Sequence, residues 1–435
     1  MARCRKLSNL WYYARAARNQ GGKPIEGDRE TMIFNKWFFP AVAAALGALL
    51  VSGLFLRYGL PPGEGAVLPL DDSYIHLQYA WQASQGQLLL YNTGDTPTTG
   101  ATSLLYMLLL AAGFAIGIGR EVMPAVILAG GALSFAATAA LVADTGRRLA
   151  PRLGLPAGIT GVIAGLWFAG SGWMAWSFLS GMETGLLMIC VAGALWALVT
   201  RRSALATVCT ALAVLTRPEA LLLAAAILVV ELLVRAPDES HRGRRVALSA
   251  LPLLAVFVSP IVNWLVTGSG SATGFLAKSW FTMQPFYLDA ILRSITATLF
   301  ELTVRLAGGL SSDGHWHAFP FLQVFVIAGV AAAWKDRSAQ RLGLAALLWA
   351  GGLFASTATL QTATWHHYSR ESGYGACRWR SNTGWWAILY ILHPSLRAAV
   401  ARWSLSPADR CGAAGQRGWR CRRSLALARD PRPMA

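Results

Sequence analysis

The chain has 435 residues, 55% hydrophobic and 14% charged, with a mean hydropathy of +0.44. Soluble domains carry about a quarter charged residues, so this composition excludes an ordinary soluble globular protein. The formal charge of +17 would fit nucleic acid only if gathered on one soluble face. Instead it falls in short clusters between apolar runs: the N-terminus, "GRRLAPR" (146–152), "TRR" (200–202), "RAPDESHRGRR" (235–245) and "KDRSAQR" (335–341). That distribution is the mark of cytoplasmic loops under the positive-inside rule. We therefore expect no nucleic-acid partner.

Apolar runs of about 20 residues recur, long enough to cross a bilayer as helices. Backbone polar groups in lipid must be satisfied within their own segment, which selects helix. Alternating ten-residue strand patterns are absent, against an outer-membrane barrel. The fold class is all-α, a polytopic helical membrane protein of about 9–11 membrane segments. The six cysteines form no CxxC pair and no Cys/His metal spacing.

In chain order, residues 1–36 form a basic cytoplasmic N-terminal segment, too long and polar to open a cleavable signal peptide. Residues 37–56 form the first span, its N-terminal side held inside by Arg15, Arg18, Lys23 and Lys36. An outer loop follows at 57–100. Further apolar segments lie near 101–119, 122–143, 157–178, 184–200, 203–216, 219–234, 247–267, 289–308, 319–334 and 342–360. If both 101–119 and 122–143 crossed, "GRRLAPR" would be left outside. Segment 101–119, interrupted by Gly113, Gly117 and Gly119, is therefore expected to be re-entrant or interfacial. Segments 203–216 and 219–234 form a short pair meeting at the outer side. Segment 289–308, carrying Arg293, Thr296 and Glu301, lies on the outer surface. The membrane domain ends near residue 368. Residues 369–435 are an Arg-rich atypical tail, read as a frameshifted stretch or as a basic disordered one.

With this topology five polar spots share the outer face. They are Asp71/Asp72, Glu183 in "LSGMETG", Arg217/Glu219 in "LTRPEA", Lys278 in "GFLAKSW" and His366/His367 in "TWHHY". Charged groups at a membrane helix are costly and mark function when they face a cavity. The plainer reading of Asp71 is an N-cap, with "SYIHLQYAWQASQG" as an interfacial helix laying Tyr74, Ile75, Leu77 and Trp81 on the bilayer and ending near Gly86. The two readings are compatible, because a helix start holds its carboxylate rigidly at the water–lipid boundary.

The stretch "DDSYIHLQYAWQASQGQLLLYNTGDTPTTGATS" resembles the first outer loop of the GT-C glycosyltransferases. More narrowly, it is similar to the bacterial arabinofuranosyltransferase/mannosyltransferase-like branch, through Asp71, Asp72, Tyr74, Ile75, Tyr79, Ala80, Gly86, Tyr91, Asn92, Gly94, Gly100, Thr102 and Ser103. "SGMETGL", "LTRPEALLL" and "FLAKSW" follow in the family's order, so the likeness covers residues 37–368. Thr93 stands where the family has proline, and "HHY" runs into "SRESGYG" rather than an Arg-Tyr…Pro stretch.

The resemblance implies transfer of a sugar from a polyprenyl-phosphate-linked donor to a glycan, lipid or protein acceptor. The enzyme would work at the outer side of a bacterial inner (plasma) membrane, in contact with the bilayer. An acceptor hydroxyl needs a general base, and Asp71 is assigned that role. Asp72 would position the acceptor, orient Asp71 or, with Asp71, hold a divalent cation, Mg or Mn, through oxygen ligands. Tyr74, Glu183, Arg217, Glu219, Lys278, His366 and His367 are the candidate substrate-binding residues.

Each has an ordinary alternative. Glu183 either starts a helix at the positive end of its dipole or contacts sugar or metal. Arg217 and Lys278 either bind the leaving phosphate or snorkel, Arg217 pairing with Glu219. Only one of two adjacent histidines can face a chamber. A secondary transporter is the competing class; it predicts inverted repeats and ionisable residues at the midplane. A flippase-like or scaffold protein is the third.

Overall fold

The computed structural model describes residues 26–60, 66–101, 103–234, 241–270, most of 287–300 and most of 329–360. The chain divides into units Met1–Gly384 and Trp385–Ala435, and every described residue belongs to the first. Lys278, Glu301, His366, His367 and the 369–435 tail lie outside the described residues.

Among the described residues all regular structure is helical. In order these are α1 (Glu26–Gly59), α2 (Asp72–Ser84), α3 (Leu104–Ala115), α4 (Met123–Leu149), α5 (Ala157–Ala169) and α6 (Gly172–Leu179). They are followed by α7 (Thr184–Val199), α8 (Ser203–Thr216), α9 (Leu221–Leu233), α10 (Arg242–Leu254), α11 (Val258–Thr267) and α12 (Arg337–Leu360).

Among the described residues three stretches are long and apolar enough to cross a membrane: Phe38–Gly59, Met123–Leu153 and Arg242–Thr267. The bent pair α5–α6 makes a fourth if counted as one span. The expected 9–11 segments include stretches outside the described residues; within the described ones several apolar segments form short helices. The expected single span 157–178 breaks at Gly170–Ser171 and bends by 61°; Ser171 caps α6 by accepting from the Met174 N–H. Segment 101–119 gives a helix of 12 residues, about 18 Å long against a hydrocarbon core of about 30 Å, packed on α2.

The packing is of the kind helices adopt in lipid, where close backbone approach replaces the hydrophobic drive. Ala44, Ala48, Ala136, Ala139 and Ala143 line the contact of α1, α4 and α5. A Cβ on Gly165 would lie 2.4 Å from the Ala44 Cβ and 2.7 Å from the Ala143 Cβ. Large apolar side chains instead point outward: Phe38, Phe39 and Leu50 on α1, Ile159 and Ile163 on α5, Leu254, Ile261 and Trp264 along α10–α11. A soluble protein rarely exposes so large an apolar surface. The chain is a multi-pass helical membrane protein.

Helices α7, α8 and α9 run between two polar ends. One holds Glu183, Arg217 and the start of α2. The other gathers the basic loops, where Asp144 takes Arg147, Arg148 and the Trp196 indole N–H, and Arg152 pairs with Asp336. Among the described residues the arginine-rich turns thus gather at one end of the bundle, as the positive-inside pattern predicts.

Candidate functional site

The site grows from the first turn of α2. Asp71 precedes the helix and its Oδ1 accepts from the Asp72 N–H at 2.9 Å. The helix ends where Gly86 takes a φ of +83°. The face turned to the protein is Ser73, His76, Leu77 and Ala80, spaced as one helical stripe. This corrects the expected orientation. Leu77 faces the protein instead of the bilayer, while Tyr74 stays exposed and its hydroxyl accepts from the Leu68 N–H at 3.0 Å.

The "SGMETG" turn docks on that stripe. Ser73 Oγ donates to the Ser180 carbonyl at 2.9 Å, and Tyr106 Oη donates to the Gly181 carbonyl at 2.8 Å. Gly181 has a φ of +85°, and a Cβ there would lie 2.9 Å from Ser73 Oγ. Only glycine combines that backbone conformation with so close an approach. Two residues on, Glu183 starts α7 and is 0% exposed.

Pro218 explains the third part. A residue before proline is driven extended, and Arg217 has φ −146°, ψ 130°. This ends α8 and turns the guanidinium back across the bundle. Arg217 Nη1 lies 3.3 Å from Glu183 Oε1, and Nη2 lies 3.3 Å from Glu219 Oε1. Burial alone would lower the Arg217 pKa, but Glu219 and Glu183 outweigh it and the net direction is up. The group is a permanent cation, part-exposed, between two carboxylates.

His76 closes the cluster, its Nε2 3.5 Å from Glu183 Oε2. Burial is the largest influence on its pKa and lowers it; Glu183 and Asp72 pull the other way, Arg217 adds to the lowering, and the net direction is down. The imidazole is therefore neutral at neutral pH. Below about pH 6.5 the unfolded chain takes up a proton that folded His76 resists, so stability declines as pH falls from 6.5 toward the lower folded value. His76→Asn should flatten that decline, which amounts to at most about 1.4 kcal/mol per pH unit. Melting curves of both proteins between pH 5 and 7.5 test this; parallel curves would remove His76 from the account.

The structure thus brings together Glu183, Arg217, Glu219 and the start of α2. Asp71 and Asp72 are exposed at its rim, Asp72 near enough to His76 to act on it electrostatically. Among the described residues neither has an ion-pair partner, and no group of three His, Cys, Asp or Glu is placed to hold a metal ion. His76 is not among the expected site residues; its signal in the sequence is a histidine on the same stripe as Ser73, Leu77 and Ala80. Tyr106, reaching Gly181 across the bundle, left no sequence signal. Several motif residues are architectural: Tyr79 Oη bonds Thr98 Oγ1 at 2.6 Å and a Cβ on Gly100 would strike it, Gly94 has a φ of +93°, and Ser103 caps α3.

Chemically, the arrangement offers three solvated carboxylates, Asp71, Asp72 and Glu219, beside the buried Glu183, and among the described residues the one guanidinium of Arg217 between them. It can accept a proton from a ligand that arrives at the rim, and pair with an anion that displaces Glu219 from Arg217. No family model, curated protein or solved structure matches the chain.

Proposed function

We propose that the protein is a GT-C-like glycosyltransferase of the bacterial plasma membrane. It moves a sugar from a polyprenyl-phosphate carrier to a hydroxyl of a cell-envelope glycan, lipid or protein on the outer face. The observation that carries this reading is the seating of α2, with Asp71 and Asp72 at its start, directly on the Glu183–Arg217 cluster. That cluster lies at the end of the bundle opposite the arginine-rich loops.

In the proposed step Asp71 accepts the acceptor's hydroxyl proton as the oxygen bonds to the sugar's anomeric carbon. The bond from that carbon to the carrier's phosphate oxygen breaks, and polyprenyl phosphate leaves with the electron pair. Arg217 offers its guanidinium to the departing phosphate, where preplaced positive charge lowers the barrier. Glu183 and His76 fix the position of Arg217 and of α2. Asp72 orients the acceptor.

Asp71→Asn tests the assignment. Asparagine caps a helix about as well as aspartate, and residue 71 is exposed, so melting in detergent should not change. Transfer from polyprenyl-phosphate sugars in proteoliposomes should fall by about 10²–10⁴-fold, the usual contribution of a general base. Undiminished transfer would reject Asp71 as the base.

A further inference from the structure

At the other end of the bundle lies a cavity of about 180 Å³ among α7, α8, α9, α10 and α12. Among the described residues four arginines line it, Arg201, Arg244, Arg245 and Arg341, against the single carboxylate of Glu231. Arg341 pairs with Glu231 Oε1, and Arg245 Nε lies 3.6 Å from Oε2, beyond hydrogen-bond range. The Arg341 side chain is 4% exposed, and both its Nε and that of Arg245 are buried without an acceptor. Among the described residues Arg201 and Arg244 have no carboxylate partner.

This is an unusual balance of charge. Buried cationic donors without acceptors are costly, and one carboxylate does not offset four guanidiniums. The helix ends add to the excess. Helices α8 and α10 start beside the cavity, without a side-chain cap and without an acidic residue in the first turn. The first turn of α10 instead carries Arg242, Arg244 and Arg245, cations at the positive end of the dipole. Arg201 holds a φ of 59°, a left-handed conformation that non-glycine residues adopt at a cost. Three of the hydroxyls in the lining are already spent on backbone carbonyls: Thr207 on Ser203 and Leu248, Thr210 on Ala206, Ser249 on Arg245.

We propose that this cavity binds a phosphate group. A phosphate dianion would fill the orphaned Nε donors, offset the excess guanidiniums and complement two uncapped helix N-termini at once. Arginine forks match phosphate oxygens two at a time. The volume is about six times that of a water molecule, enough for a phosphate with part of its substituent. The phosphate comes either from an anionic lipid headgroup at this face or from a soluble phosphate compound. The site is separate from the proposed transfer site and does not depend on that reading.

The full chain in phosphatidylcholine nanodiscs, followed by thermal unfolding, tests the proposal in two arms: added millimolar pyrophosphate, and phosphatidylglycerol incorporated into the discs. Potassium chloride at matched ionic strength is the control. Stabilisation by pyrophosphate alone identifies a soluble phosphate, and by phosphatidylglycerol alone a lipid headgroup; either supports the site. Arg201→Gln and Arg244→Gln, both at exposed positions, should each weaken the apparent affinity about tenfold, the effect of one lost charge-assisted contact. Arg341→Gln should weaken it further. If that variant fails to fold, the two exposed variants decide. No stabilisation in either arm, stabilisation equalled by potassium chloride, or affinity unchanged in Arg201→Gln and Arg244→Gln would overturn it.

Discussion

Replacing Glu183 with alanine should lower stability by about 3 kcal/mol, the low end of the usual loss when one partner of a buried ion pair is removed. Glu183 is fully buried, with Arg217 3.3 Å away on one side and His76 3.5 Å away on the other. Removal leaves a void beside the "SGMETG" turn and a guanidinium facing it. The low end applies because the Arg217 side chain is 35% exposed and retains Glu219. Glu183→Gln keeps the volume and should cost less. Combined with Arg217→Gln it should show a coupling of about 0.5–3 kcal/mol in a double-mutant cycle. Melting of the purified variants in detergent measures all three. Alanine at 183 with wild-type melting would mean that the buried pair does not hold this end of the bundle. The same alanine should impair the proposed transfer, since it removes the carboxylate 3.3 Å from the Arg217 guanidinium.

Valine at Gly131 should be more damaging than its size implies. A Cβ at this position would sit 2.2 Å from the Phe178 carbonyl oxygen, a backbone atom that cannot swing aside. Alanine should already cost about 1–3 kcal/mol by overpacking, and valine more, with poor yield from membranes. The neighbouring glycine supplies the control. A Cβ on Gly130 meets nothing within 4 Å, so Gly130→Ala should be neutral or stabilise by up to about 1 kcal/mol through helix propensity. The contrast tests the contact of α4 with α6 rather than glycine content. Phe178 and Leu179 also lead straight into Ser180–Glu183, so a displaced α6 carries the buried carboxylate with it. Gly131→Ala should therefore lose transfer beyond its loss of stability, whereas Gly130→Ala should keep it. Equal behaviour of the two variants would contradict the close approach.

Much of this arrangement was legible residue by residue. Asp71 as the cap of α2, Gly86 at its end and the break before Pro218 follow from local rules of capping and backbone restriction. The grouping of Glu183, Arg217 and Glu219 at one end was legible only through a choice of topology, because those residues are far apart in the chain. Apolar character marks residues that avoid water, without recording how long a helix runs or in which direction. The break at Gly170–Ser171 falls on a Gly-Ser-Gly interruption of the apolar run, where the Ser171 cap starts a new helix.

The sequence alone determined the class of molecule. Low charge, recurring apolar runs and clustered arginines dictate helices in a membrane, since backbone hydrogen bonding in lipid leaves little else and basic loops stay on one side. Tertiary structure alone decided which polar groups meet. His76 becomes a partner of Glu183, and Arg201, Arg244, Arg245 and Arg341, from three separate segments of the chain, line one cavity with Glu231. Such meetings depend on helix rotation and on small-residue contacts between distant segments, at Gly131, Gly165 and Gly181, where the separation is set by what lies opposite rather than by the neighbours in the chain.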